Sequence, residues 1–330
     1  MPEYAVAGIW AGRAHGASVL GVRDGVVVRI DPAAEDASPA AVTVLPGLVD
    51  RHVHLGLVDH SALAGGPVAE VHDLGWAPDE IAALRDQPPA GVTVQVAGPF
   101  HTAPGGYPSG RSWAPPAAVR AVDSVAAARR AVADAVAARY DILKVALHSG
   151  MPLLDDEVLR GLVSAAHDAG LPVVVHAEGA GQAARAIDAG ADLLAHAPWT
   201  ERVPDDALAR GARMTWCSTL AIHSGPARAT AIDNIRRFRA LGGRIVYGTD
   251  MGNGPTPVGV NAAEILALGT AGLAGDELLA ALCGPPAGHL PVGRLLVSSR
   301  PVPASAADAV AWFAGCRRFT AANLKEHHGA

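Results

Sequence analysis

The chain has 330 residues, 50% of them hydrophobic, and a formal net charge of -6. That is material for one large domain, or for a large domain with a small one attached. The charge balance excludes a basic nucleic-acid footprint, and the apolar stretches are too charged to span a bilayer. Cys217, Cys283 and Cys316 are far apart and odd in number. They form neither a zinc-finger spacing nor a disulfide framework, so a reducing, cytoplasmic compartment is expected. Met1-Pro2-Glu3-Tyr4 lacks the basic-then-apolar pattern of a signal peptide.

In chain order, residues 4–43 read as short β runs broken by turns such as Arg23-Asp24-Gly25. From residue 44 onward strands alternate with helices. Strands are expected at 44–54, 68–74, 92–98, 142–147, 171–177, 192–196, 213–219 and 244–249. Helices are expected at 78–87, 123–139, 155–169, 179–189, 204–211, 230–241 and 259–271. Eight strands alternating with helices make the pattern of a (β/α)₈ barrel. The other arrangement, an open doubly wound sheet, usually carries a Gly-rich phosphate loop, and none is found. After residue 291 short β runs return at Arg294–Val297 and Ala309–Phe313. The expected architecture is α/β. A TIM barrel would occupy residues 44–290, and a small β-sandwich-like domain would form from residues 1–43 and 291–330.

The ionisable residues then fall on strand ends. His52 and His54 stand two apart in the first barrel strand, so they share one face. His176 ends the fifth strand, His196 ends the sixth, and Asp250 follows the eighth in Gly248-Thr249-Asp250. Strand C-termini converge on one pocket in a barrel. Four imidazoles and a carboxylate suit a borderline metal such as zinc. Taken singly, His176 and His196 also read as core histidines, and Asp250 as a helix cap.

Lys144 is different, because the chain holds only one other lysine, Lys325. It shares a strand face with Ile142 and Ala146, while Leu143, Val145 and Leu147 face the helices. Lys144 therefore points into the barrel. Burial lowers a lysine pKa until the amine is neutral. A neutral amine can take up CO₂, and the resulting carbamate is a carboxylate on a long arm, suited to bridging two cations. Ordinary explanations would have to hold at six strand-end positions together.

These motifs resemble those of the metal-dependent amidohydrolase superfamily, above all its imidazolonepropionase-like and prolidase-like members. The matching segments are Pro46-Gly-Leu-Val-Asp-Arg-His52-Val-His54, Val68-Ala-Glu-Val-His72-Asp73-Leu-Gly75, Asp141-Ile-Leu-Lys144-Val, Val173-Val-Val-His176-Ala, Ala189–His196, Gly248-Thr-Asp250 and Asn261-Ala-Ala-Glu264. The resemblance implies two divalent metal ions, zinc by expectation. His52, His54 and Asp250 would hold one, His176 and His196 the other, with carbamylated Lys144 as the bridge. It implies hydrolysis of an amide-type C–N bond in a small molecule by a metal-bridging hydroxide, with Asp250 as general base and then acid. A deaminase, lactonase or phosphotriesterase would share this centre. A non-catalytic scaffold of the same fold is the reading from another class, though such members usually lose ligands. The chain departs from the family at Arg300–Asp308, where the usual Gly-rich turn is blurred.

Substrate contacts are expected from Tyr107 and Arg111, in the long segment 99–122 after the third strand, and from His148 and His223. Arg111 could clamp a carboxylate. His72 and His101 read as structural residues or polar lining, and Cys217 as strand filler. Oligomeric state, including a homo-oligomer, stays open.

Overall fold

The computed structural model describes residues 1–284 and 290–320. The expected terminal β unit thus extends, at 321–330, outside the described residues. Two parallel sheets and one mixed sheet make up the strands. The mixed sheet takes Glu3–Trp10, Ser18–Arg23, Val26–Pro32 and Ala40–Pro46 from the N-terminal part, and Leu290–Pro291, Leu295–Ser298 and Arg317–Arg318 from the C-terminal part. It has its own apolar cluster, including Ile9, Leu20, Val44, Leu295 and Phe319.

The expected strand 44–54 is two strands. Ala40–Pro46 pairs with Leu295–Ser298 in the mixed sheet, whereas Leu48–Val53 pairs with Val68–Asp73 in a parallel sheet. Gly47 is the crossing point. A Cβ there would lie 2.5 Å from Ala69 Cβ and 3.1 Å from the Pro67 carbonyl oxygen. Only glycine lets the backbone pass this close, and its N–H donates to Arg294 O at 2.7 Å. One apolar run therefore serves two sheets.

One parallel sheet orders Leu48–Val53, Val68–Asp73 and Thr93–Val96. The other orders Val119–Ala121, Phe100–Thr102, Leu143–His148, Val173–Glu178, Leu193–Leu194, Thr215–Cys217 and Arg244–Val246. Phe100–Thr102 and Val119–Ala121 lie inside the expected loop 99–122, which is thus partly regular structure. Backbone bonds link the two sheets at both ends. Arg51 N donates to Tyr247 O at 3.1 Å and His54 N to Met251 O at 2.7 Å, while Asp141 N donates to Val96 O at 2.9 Å.

Helices cover the outer faces. Leu143, Val145 and Leu147 share an apolar cluster with Ala128 and Val132 of helix Val125–Ala137 and with Leu159 and Leu162 of helix Asp156–Asp168. Burying each leucine fully stabilises the fold by roughly 1.5–3 kcal/mol before entropy is counted. A separate small cluster joins Val174 to Leu74, Ala97, Ile142 and Ala195, which flank strand ends.

Three helical segments differ from expectation. Gly225–Ala240 begins before the expected 230, because Pro226 fits a first helical turn, where an N–H is unpaired anyway. Gly275–Cys283 is an additional helix with Leu278, Leu279 and Leu282 buried. The expected β run 309–313 lies in helix Ala306–Ala314. Ser305 and Asp308 form a reciprocal capping box there, and Ala309, Trp312 and Phe313 are buried at helical spacing. Among the described residues no helix is long and apolar enough to cross a membrane.

Candidate metal centre

The structure contains a cavity of about 310 Å³. His52, His54, Lys144, His176, His196 and Asp250 all line it. Each is at most 7% exposed. Residues separated by up to 198 positions in the chain (52 to 250) are brought to one wall.

The tightest group is His52, His54 and Asp250, whose candidate ligand atoms lie within 4.8 Å of one another. His52 Nε2 and His54 Nε2 are 3.3 Å apart, and Asp250 Oδ1 is 3.2 and 3.4 Å from them. The other ring nitrogens are committed: His52 Nδ1 is 2.7 Å from Ala195 O, and His54 Nδ1 is 3.1 Å from Gly75 O. A carbonyl only accepts, so each Nδ1 carries the proton and each Nε2 presents a lone pair. Burial pushes His52 well below the ordinary imidazole range. Burial opposes the charge on Asp250, yet His52, His54 and His196 around it hold its carboxyl well below the ordinary carboxylate range. Three candidate ligand atoms thus face one another in a buried space. Two imidazole nitrogens and a carboxylate oxygen suit a borderline divalent cation, so the residues fit such an ion.

Buried carboxylates hold this trio in place. Asp50 Oδ1 accepts from His52 N at 3.1 Å and Thr249 N at 3.0 Å, and Oδ2 accepts from Thr249 Oγ1 at 2.6 Å. Asp50 therefore ties the His52 strand to the Asp250 turn. Burial raises its carboxyl to about 7 against these hydrogen bonds. Asp250 itself has φ +54, uncommon for a non-glycine residue, and Asn253 Nδ2 donates to its Oδ2 at 2.8 Å. Gly248 lets this turn press on the strand, since a Cβ there would sit 2.1 Å from Cys217 Sγ and 3.1 Å from His52 Cβ. Asp73 accepts from Leu55 N at 2.7 Å and Gly75 N at 3.1 Å, fixing the carbonyl that His54 uses.

His176, His196 and Lys144 line the same cavity more loosely. The His196 ring centroid is 4.5 Å from that of His52 and 4.9 Å from that of His176. His196 Nδ1 lies 2.9 Å from Thr219 Oγ1. His176 Nε2 lies 3.1 Å from Glu178 Oε2. Lys144 Nζ is buried with no hydrogen-bond partner. Burial lowers its ammonium to about 8 against the opposing pull of Asp250. An amine this poised, and without a partner, fits an added group better than a structural ion pair.

Among the expected substrate contacts, Tyr107 and His223 line the cavity. Tyr107 stacks on His176 at 4.9 Å and on His148 at 5.3 Å. Burial raises its phenol, so the O–H stays protonated. His223 stacks on Trp199 at 4.6 Å, and its buried Nε2 lacks a partner. Burial lowers its imidazolium to about 4. His148 stands behind Tyr107, with Nε2 3.2 Å from Glu178 Oε1. Arg111 is exposed at the rim, 5.8 Å from the Tyr107 ring centroid and outside the cavity wall. His72 pairs with Glu70 at 2.9 Å, and His101 Nδ1 lies 3.0 Å from Lys144 O. Cys217 is buried, and burial raises its thiol.

The residue reading omitted Glu178, Trp199 and Asn253, all of which line the cavity. Glu178 carried a usable signal, since it stands two residues after His176 on the same strand face. Trp199 and Asn253 sit in loops and carried none.

No family model and no curated protein matches the chain. Solved structures do. A Xaa-Pro dipeptidase with methionine bound in its active site superimposes with TM-score 0.74 at 18% identity, over 95% of this chain and 96% of that one. Bottromycin amidohydrolase matches with TM-score 0.64 at 22% identity, over 91% and 82% of the two chains. A. niger ochratoxinase matches with TM-score 0.66 at 17% identity, over 84% and 82%. The chain thus has the α/β fold, with parallel sheets, of structures described as amidohydrolases and dipeptidases.

Proposed function

We propose that the chain is a metal-dependent amidohydrolase that cleaves an amide-type C–N bond of a small molecule. Eight strands of the two parallel sheets, which are linked at Arg51–Tyr247, His54–Met251 and Asp141–Val96, form its (β/α)₈ barrel, with Phe100–Thr102 and Val119–Ala121 as additions. The mixed sheet from the two terminal parts is its second domain. One observation carries the reading: three converging lone-pair donors share a buried cavity with an unpartnered lysine amine.

His52, His54 and Asp250 would hold one divalent cation, zinc by donor set, and His176 and His196 a second, with Lys144 bridging as its carbamate. Two such ions would supply an activated water and polarise the scissile carbonyl. Asp250 accepts the proton of the attacking water on its carboxylate and returns it to the leaving nitrogen. Asn253 Nδ2 donates to Oδ2, while Oδ1 faces His52 and His54. Tyr107, Trp113, Trp199 and His223 wall the cavity, exclude water and position the substrate. His148 supports the Tyr107 wall, and Arg111 stands at the mouth.

Protein purified without chelator should carry metal and hydrolyse members of a panel of N-acyl amino acids, dipeptides and anilides. Less than half an equivalent per chain, with no gain after zinc and bicarbonate, removes the metal reading. Full metal with turnover confined to lactones, phosphotriesters or amidines moves the reaction to one of those classes.

A further inference from the structure

Glu178 is the carboxylate on the cavity wall that the proposed reaction leaves unused. Its Oε2 is 3.1 Å from His176 Nε2, and its Oε1 is 3.2 Å from His148 Nε2. Both imidazoles stack on Tyr107, at 4.9 and 5.3 Å. Two strands carry the group: Leu143–His148 and Val173–Glu178 are parallel neighbours, with His148 directly opposite Glu178.

We propose that Glu178 is a positioning residue that fixes the tautomer of His176 and, through His148, the Tyr107 wall. An ionised carboxylate accepts hydrogen bonds and donates none. Glu178 Oε2 lies 3.1 Å from His176 Nε2, so the acceptor stands at that nitrogen. His176 must then carry its proton on Nε2 and keep its lone pair on Nδ1. His52 and His54 are set the opposite way, protonated on Nδ1 by their carbonyl contacts. His176 thus offers the other imidazole nitrogen from the one that His52 and His54 offer. A neutral imidazole has two tautomers, so the nitrogen that faces a cation is a real choice between two forms. Carboxylates that orient a ligating imidazole are typically worth about 10–100-fold in metal affinity.

This inference rests on the reading of His176 as a ligand, and the two can be told apart. The first measurement is a long-range ¹H–¹⁵N correlation of the metal-free wild-type chain near pH 7.5, with His176 assigned by its absence in His176→Gln. Protonation at Nε2 is expected; protonation at Nδ1 overturns the proposal without any variant of Glu178. The second is a zinc titration of wild-type, Glu178→Ala and Glu178→Gln chains. In Glu178→Ala the first equivalent should bind as in the wild type, which also reports an intact fold. The second should weaken about 10–100-fold, and Glu178→Gln should recover part of it, because its amide oxygen still accepts. Two equivalents bound with unchanged affinity in Glu178→Ala overturn the role of Glu178 alone. A wild-type chain that takes up one equivalent or none overturns the two-cation reading and this inference together.

Discussion

The two sides of the cavity are built by different means. On one side, His52 and His54 are oriented by the main-chain carbonyls of Ala195 and Gly75, and the Asp250 turn is clipped to their strand by Asp50. On the other, His176 and His196 are oriented by side chains, Glu178 and Thr219, and Lys144 is held by packing alone. Main-chain anchors move only if the sheet moves, whereas side-chain anchors are replaceable one at a time. The first side is therefore held largely by main-chain contacts and Asp50, and the second by single side chains. Under the proposed function, that difference would make the second side the place to tune metal content and activity without unfolding the chain.

The largest effect should come from the first side. Asp250→Asn keeps the shape but removes the proton acceptor, and kcat/KM should fall about 10³-fold. If the variant keeps its metal and full rate in a steady-state assay, Asp250 is not the base. On the other side, Lys144→Ala should lose about one of two metal equivalents and lower kcat about 10²-fold by elemental analysis and steady-state kinetics. Full activity with full metal would break the bridging role. Smaller again is Thr219→Val, which removes the partner of His196 Nδ1; second-equivalent affinity should weaken about 10-fold by calorimetry. The same change should leave the first equivalent untouched, and an equal loss at both would erase the contrast between the two sides.

The mildest test is pH. Burial disfavours the Lys144 ammonium, so the amine loses its proton as pH rises through about 8 rather than 10.5. Only the neutral amine takes up CO₂. Recovery of activity by decarboxylated apoprotein, given zinc and fixed dissolved CO₂, should quicken as pH rises and level off above about 8. A rate still climbing toward pH 10 would show that Lys144 is solvated like a surface lysine. In stability the sign is the reverse of an ion pair. The folded chain holds this proton less tightly than the unfolded chain, so the lysine opposes folding below about 8, and that penalty fades as pH rises toward 10.5.

Much of the molecule could be read from residue order. The side-chain alternation at 142–147 placed Lys144 opposite the helices, and in the fold Leu143, Val145 and Leu147 do pack there. His-x-His at 52–54 put two rings on one face because the strand period is two. Where local pattern failed, a distant contact had intervened. Ala309–Phe313 looks extended, but Trp312 Nε1 donates to the distant Thr43 Oγ1, and with the local Ser305–Asp308 capping box the segment is a helix. The run at 44–54 looks like one strand, yet Gly47 passes it between two sheets because Ala69 and Arg294 crowd that point. Glu178 was visible by spacing but had no stated purpose until His148 came to lie opposite it.

Sequence alone determined the strand-and-helix rhythm and which chemical groups stand at the strand ends. Those depend on period, turn chemistry and residue type, all local quantities. Tertiary structure decided which ring nitrogen of each histidine is free, that the Lys144 amine has no partner, and that Arg111 stays at the rim. The reason is that protonation and solvation are set by neighbours far away in the chain. A carbonyl at 195 chooses the tautomer at 52, and the packing of many strands removes water from the amine at 144.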